Sequence, residues 1–260
     1  MNCRICNREC KPLFQLDNMP DRNQHLSDKP DTKGITLNVV QCKGCGLVQL
    51  DNEPVWYWKE SINSARLSSG LIKELVEMGA VKVSFMELEH QPDPNKYLQD
   101  FRGDWILVPN HKEMTLYDVC IDHLFYFYNE SLRAVLEYNG FLVKEIKTIY
   151  NDVIIAAHVK RYKHVAVYGA GHQAFAWLAL HPNFKVDWIY DDNTDKVGKY
   201  SPVTNIPIVG DVKHYGGWGA VEADAIIVMA GGYSDEVLKK LDDFEGSVAV
   251  LRGNKLEVIR

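Results

Sequence analysis

The chain has 260 residues, 46% hydrophobic and 25% charged, a balance that suits a globular protein with room for two or three small domains. A formal net charge of -6, with basic residues scattered rather than striped, gives no electrostatic footprint for nucleic acid, and no apolar run approaches the length of a membrane span. The opening MNCRICNRECK is polar and cysteine-bearing, unlike a secretory signal, so a cytoplasmic setting is expected, in which the six cysteines read as metal ligands or free thiols rather than disulfides.

Taken in order, the chain first offers two CxxC knuckles, Cys3 to Cys6 and Cys42 to Cys45. Each is followed by a small or polar residue that lets backbone amides turn toward thiolate sulfur, and four thiolates suit a closed, structural tetrahedral Zn site. Such a site would fold a segment too small for a core of its own. The gap between knuckles exceeds that of a compact ribbon, so something is looped out; Cys10 is an alternative ligand. GLVQL reads as a strand leaving the second knuckle, and Trp56 to Trp58 opens an aromatic passage. Ser68 to Met78 has Leu71, Ile72, Leu75 and Val76 on one helical face, with Gly79 as its C-cap. Val81 to Met86 alternates like a strand, LEHQPDPNKYL passes through a proline turn into a short helix, and WILVPN is another strand.

The next stretch, Leu116 to Leu132, sets Asp122 beside His123 ahead of Phe125, Tyr126 and Phe127. A carboxylate beside an imidazole can move a proton near neutral pH, and aromatic walls supply a partly dry pocket; a hydrogen-bonded structural histidine is the other reading. Ser131 to Tyr138 is helical in spacing and stops at Gly140, after which FLVKEIKTIY and DVIIAAHVK are strand-like.

The last hundred residues read as a separate domain. His164 to Tyr168 is a buried-strand pattern running into Gly169-Ala170-Gly171-His172-Gln173-Ala174, a G-x-G-x-x-A turn from strand to helix. Gly169 permits the tight turn, Gly171 lets a phosphate approach the backbone, and the helix N-terminus favours an anion. Asp191 and Asp192 follow the VDWIY strand, where a ribose hydroxyl could be accepted. AIIVMAGG, SDEVLKKL and VAVLRG add a strand, a helix and a final strand, which implies a small parallel sheet. A structural turn without ligand and an NAD(P)-dependent oxidoreductase are the rival readings; no catalytic constellation for the latter follows within the domain.

In its motif order the chain resembles the S-adenosylmethionine (SAM)-dependent sugar C-methyltransferases, which methylate carbon in nucleotide-linked deoxysugars. The pieces that carry the likeness are the two knuckles with LDNMPDRN between them, CGLVQL, LEHQPDPN, VPN, DHLFYF, GAGHQA and KYSPVTNIPI. The resemblance implies an α/β protein with a zinc-binding module over 1–52, a shortened Rossmann-like methyltransferase centre over 53–160, and a Rossmann-like C-terminal domain over 161–260 that helps enclose the sugar nucleotide. Residue by residue, His123 matches the family's active-site histidine, the general base toward the sugar carbon, and His90 matches a second active-site histidine. Asp122 stands where the family has glutamate, and Cys120 where it has tyrosine. One departure is large. The glycine-rich turn and the acidic residue that hold the cofactor in such enzymes have no counterpart, because the chain passes from the helix near Met78 straight to the strand before Leu88. A half sheet has exposed edges, so the centre is expected to lean on its neighbours or on a second subunit completing the cofactor site. A non-catalytic protein that binds a sugar nucleotide or a partner enzyme fits the same departure.

Overall fold

The computed structural model describes residues 1–23, 26, 28, 33–55, 69–80, 83–85, 87–210 and 223–260. Among the described residues the chain is a mixed α/β protein with three sheets and a few short helices, in two compact units. The first comprises residues 1–135 and 145–158, the second residues 136–144 and 159–260.

In the first unit, what is looped out between the knuckles is a long β-hairpin. Strand β1 (Cys10–Met19) pairs antiparallel with β2 (Ile35–Cys42), Cys10 opposite Cys42, and β3 (Val48–Leu50) then lies beside β2. The fourth strand of this sheet is β6 (Phe125–Tyr126), which pairs with β3 through Val48 opposite Tyr126 and Gln49 opposite Phe125. The strand leaving the second knuckle therefore carries the residues that follow His123. One apolar cluster seals the arrangement, with Leu37, Val39 and Leu50 of the hairpin sheet packed on Val119, Ile121 and Tyr126.

The same unit holds a second sheet, in the order β4 (Val83–Phe85), β5 (Trp105–Pro109), β8 (Ile154–Lys160) and β7 (Leu142–Ile149). Strands β4 and β5 are parallel and β5 and β8 antiparallel. Helix α1 (Ser69–Glu77) covers it with buried Leu71 and Leu75, whereas Ile72 and Val76, expected on the same face, are exposed. Helical neighbours one position apart are rotated by about 100°, so the buried stripe is narrower than the expected one. Gly79 takes φ +72° after the helix, as a C-cap requires. Helix α2 (Pro94–Gln99) begins at Pro94 with Asp93 accepting the amide of Lys96, and α3 (Asn129–Tyr138) follows the aromatic run. The expected aromatic passage at 56–58 and the outer residues of the strand expected at 81–86 lie outside the described residues.

The second unit contains a six-stranded sheet in the order β11 (Ile208–Val209), β10 (Trp188–Tyr190), β9 (Val165–Tyr168), β12 (Ala225–Val228), β13 (Ser247–Arg252) and β14 (Lys255–Val258). The first five are parallel, but β14 returns antiparallel on β13. The expectation of an all-parallel sheet ending at VAVLRG is corrected here. Gly253, at φ +59°, makes the tight reversal, and alternating Leu256 and Val258 then have a face to bury. Both faces of the parallel strands are covered by apolar clusters, one with Trp177 and Leu178 of helix α4 (His172–Leu180), the other with Val237 of helix α5 (Ser234–Lys240).

Candidate active site and thiolate centre

The knuckles are built alike. Asn7 and Gly46, each one residue past the second cysteine, take positive φ (55° and 75°), and their amides donate back to the carbonyls of Cys3 and Cys42 at 3.0 and 3.2 Å. This folds the loops so that amides point at sulfur: Ile5 N reaches Cys3 Sγ at 3.4 Å, and Gly44 N reaches Cys42 Sγ at 3.2 Å. The sulfurs of Cys3, Cys6, Cys42 and Cys45 all lie within 4.8 Å of one another, with Cys3 to Cys45 at 3.8 Å and Cys6 to Cys42 at 3.4 Å. Four thiolates bound at about 2.3 Å to a tetrahedral ion stand roughly 3.8 Å apart, so the donor set fits one zinc-like cation. Cys10, the alternative ligand, lies outside this group; its buried sulfur meets Gln49 Nε2 at 3.7 Å. Among the described residues, this is the group whose donor atoms converge on one point.

Elsewhere in the first unit two turns face each other. One is the 3-10 turn Leu88–His90, the other the Cys120–Leu124 turn that leads into β6. They are pinned twice: Leu124 N donates to Glu89 O at 2.7 Å, and His90 Nδ1 donates to Asp122 O at 2.8 Å. His90 and His123, picked out from different parts of the chain, are thereby brought edge to face with ring centroids 4.9 Å apart. Asp122 is buried, and it is its backbone carbonyl that makes the contact with His90. Cys120 is half-buried, its thiol pushed up by burial, and the Asn23 side chain of the LDNMPDRN segment hydrogen-bonds it.

Two further members escape a reading of the sequence. His111, just past the VPN motif, sits 5.9 Å from His123 and 5.2 Å from Tyr126, centroid to centroid. It clasps Phe127 from both sides, donating its amide to Phe127 O and accepting Phe127 N at Nδ1. Glu89 is the other, its Oε1 3.6 Å from His90 Nε2. The only signals in the sequence were their places beside named motifs.

Burial dominates the electrostatics of the three imidazoles and of Glu89. Burial, reinforced by His90 and His111, holds His123 down to about 3, and burial also lowers His90 and His111. Burial pushes Glu89 up to about 8. His123 Nδ1 and Glu89 Oε2 are buried with no hydrogen-bond partner in the protein. An uncharged imidazole with a bare nitrogen in a dry pocket can accept a proton from a bound molecule.

A different kind of site lies in the second unit. At the carboxyl ends of β9, β10 and β12 is a crevice of about 410 Å³, lined among others by Gly169, Gly171, Gln173, Asp191, Lys196 and Tyr233. Gly169 has φ +112°, and a Cβ there would fall 2.9 Å from Met229 O. Over Gly171, which caps α4 without a side-chain bond, a Cβ would meet nothing within 4 Å. Asp191 serves the turn itself: it accepts Ala170 N at 2.7 Å, Asn193 N at 3.0 Å and Lys196 Nζ at 3.1 Å. Asp192 accepts Tyr168 Oη at 2.6 Å and pairs with Lys240.

The chain is thus a mixed α/β protein with a four-cysteine cluster that could hold a metal ion and a buried histidine cluster. The class is narrowed by comparison: residues 129–250 match the family described as the C-methyltransferase C-terminal domain, which supports assignment of the chain to the sugar C-methyltransferases and a methyltransferase-like function. No curated protein matches the chain. No helix among the described residues is long and apolar enough to cross a membrane.

Among the described residues of the first unit, the glycine-bearing turn that follows a strand is the second knuckle after β2, whose Gly44 and Gly46 serve the thiolate centre, and Gly79 caps α1 with open space around it, so these residues do not form a SAM cradle.

Proposed function

We propose that this protein takes a nucleotide-linked deoxysugar and removes a proton from a sugar carbon in the course of C-methylation, with His123 as the base. The observation that carries this reading is the edge-to-face meeting of His90 and His123 in a buried pocket, beside the family match of residues 129–250. Burial keeps His123 uncharged, and its Nδ1, buried without a partner in the protein, is the atom that would accept the proton. His90 and Asp122 hold the turn that presents it. The low proton affinity of His123 in a dry site rises when an anionic substrate is bound nearby, since an opposite charge favours the imidazolium. In the second unit by itself, the crevice over Gly171 at the N-terminus of α4 is a candidate site for a phosphate-bearing ligand. Cys3, Cys6, Cys42 and Cys45 hold a structural zinc ion, which supplies cross-linking rather than chemistry because all four positions of the ion are filled by protein.

A second reading has its own support: that no SAM cradle is found among the described residues of the first unit fits a protein that binds the sugar nucleotide but relies on a second subunit for methyl transfer, or transfers none. Calorimetric titration of the zinc-loaded protein with SAM and with S-adenosylhomocysteine separates the two. Micromolar binding by the isolated chain favours the enzyme, whereas no binding favours dependence on a partner. Wherever turnover is found, His123→Ala is expected to abolish it while leaving the fold intact; surviving activity would show that the base is another group.

A further inference from the structure

Cys10 is a fifth cysteine at the end of the hairpin that carries the two knuckles, and the thiolate centre does not use it. It opens β1 just after the first knuckle, and the residue opposite it across the hairpin is Cys42, which opens the second knuckle. Cys10 N donates to Met1 O and Cys42 N to Leu47 O, so the two exchange no backbone bond, and the neighbouring rung runs from Lys43 N to Glu9 O. In such a non-hydrogen-bonded antiparallel pair the Cα atoms stand about 4.5 Å apart and both side chains leave the same face of the sheet. The sulfur of Cys10 is therefore on the side where Cys42 meets the ion, and the thiols of Cys42 and Cys6 act on it electrostatically. What holds it outside the centre is weak. Its Sγ accepts Gln49 Nε2 at 3.7 Å and donates to Arg8 O at 3.9 Å, both contacts of a neutral thiol. Gln49 Nε2 also has Met1 Sδ at 3.6 Å, so the buried amide keeps a partner when the sulfur of Cys10 turns away. A change of rotamer moves a cysteine sulfur without moving its backbone.

Resting on the reading of Cys3, Cys6, Cys42 and Cys45 as zinc ligands, we propose that Cys10 is a reserve ligand of the centre, placed to take over the position of Cys42 on the ion. The exchange involves no oxidation. The bond from zinc to the sulfur of Cys42 breaks, a bond to the sulfur of Cys10 forms, and the proton that the Cys10 thiol gives up passes to the sulfur that Cys42 frees. The ion keeps four sulfurs throughout, as a closed structural site requires. The reserve is specific to one position. Cys45 lies in the second knuckle's turn and has no cysteine opposite it in a ladder, so nothing equivalent stands ready for its loss. A centre built in this way keeps its ion when Cys42 is lost or chemically capped, and the end of the β1–β2 hairpin stays fastened.

The test reads the metal and needs neither substrate nor methyl donor. The full chain is freed of metal and reconstituted with cobalt(II), whose sulfur-to-metal charge-transfer absorption grows with the number of bound thiolates and whose visible bands report tetrahedral geometry. Wild type and Cys10→Ala should both give the spectrum of four thiolates. A wild type that does not would remove the reading of the centre itself, an outcome distinct from failure of the reserve ligand. Cys42→Ala should keep the charge-transfer intensity of wild type, because Cys10 fills the place. The double variant lacking both Cys10 and Cys42 should lose one thiolate's share of that intensity, as should Cys45→Ala alone. A three-thiolate spectrum for Cys42→Ala that does not change on further loss of Cys10 overturns the inference. Where the alanine variant does not fold, Cys42→Ser, closer in shape, is read in the same way. Failure of both to take up cobalt also counts against the inference, because a working reserve ligand would restore the centre.

Discussion

At the scale of single residues, the cluster pulls stability in opposite directions as pH changes. Glu89 titrates near 4.5 when unfolded and near 8 when folded. The folded chain therefore binds the extra proton between those values, and its stability falls as pH rises through that window. His123 runs the other way, from 6.5 unfolded to about 3 folded, so stability falls as pH drops below about 6.5. Between pH 4.5 and 6.5 the two slopes oppose each other, and the flanks separate them. Melting temperatures of wild type and Glu89→Gln, measured from pH 5 to 9, should differ most above pH 8, with the variant losing less stability on the alkaline side. His123→Gln should lose less than wild type on the acid side. Parallel curves would mean that these groups are more hydrated than their burial implies.

At the scale of elements, the glycine turn after β9 is constrained by its neighbours. Gly169 donates its amide to Tyr190 O, Ala170 to Asp191, and a Cβ at Gly169 would strike the backbone of Met229. Gly169→Ala should therefore cost about 1–3 kcal/mol, because the left-handed conformation and the clash act together. Gly171→Ala, facing open space, should be near neutral for folding but should weaken binding of a nucleotide sugar if phosphates sit there. Chemical denaturation of the two variants, paired with calorimetry against a nucleotide sugar, tests the contrast. This turn was legible in the sequence because G-x-G-x-x-A is a local pattern; so were the knuckles, whose spacing is local too. The β1–β2 hairpin was not, since Pro12 and exposed Leu13 interrupt the alternation that Phe14 and Leu16 make with Gln15 and Asp17, and neither was β14, which follows a strand that already looked terminal. His111 and Glu89 were hidden for a different reason. Their chemistry depends on burial and on a neighbour brought from elsewhere in the chain, Phe127 in one case and the 120–124 turn in the other.

Within the first unit as a whole, the thiolate centre and the histidine cluster belong to one construction. The carbonyl of Gly46, inside the second knuckle, accepts both Gln41 Nε2 and Tyr128 Oη, and the carbonyl of Ile5, inside the first, accepts Asn95 of α2. Strand β3 leaves the knuckle and pairs with β6, while Leu50 N donates to Leu124 O, one residue past His123. Metal binding supplies much of the folding free energy of such small segments. Removal of the ion should therefore do more than loosen the amino terminus: it should release the register that holds the 120–124 turn. Hydrogen exchange in the presence of a chelator is expected to show lost protection in β1, β2, β3 and β6 together, with a changed ring environment at His123. The amides of β9, β12 and β13, in the other unit, should keep their protection, and restoring zinc should reverse the loss. If β6 and His123 stay protected after complete metal removal, the apolar cluster of Leu37, Val39, Leu50 and Tyr126 holds the register without the ion, and the thiolate centre stabilises only the loops that carry it.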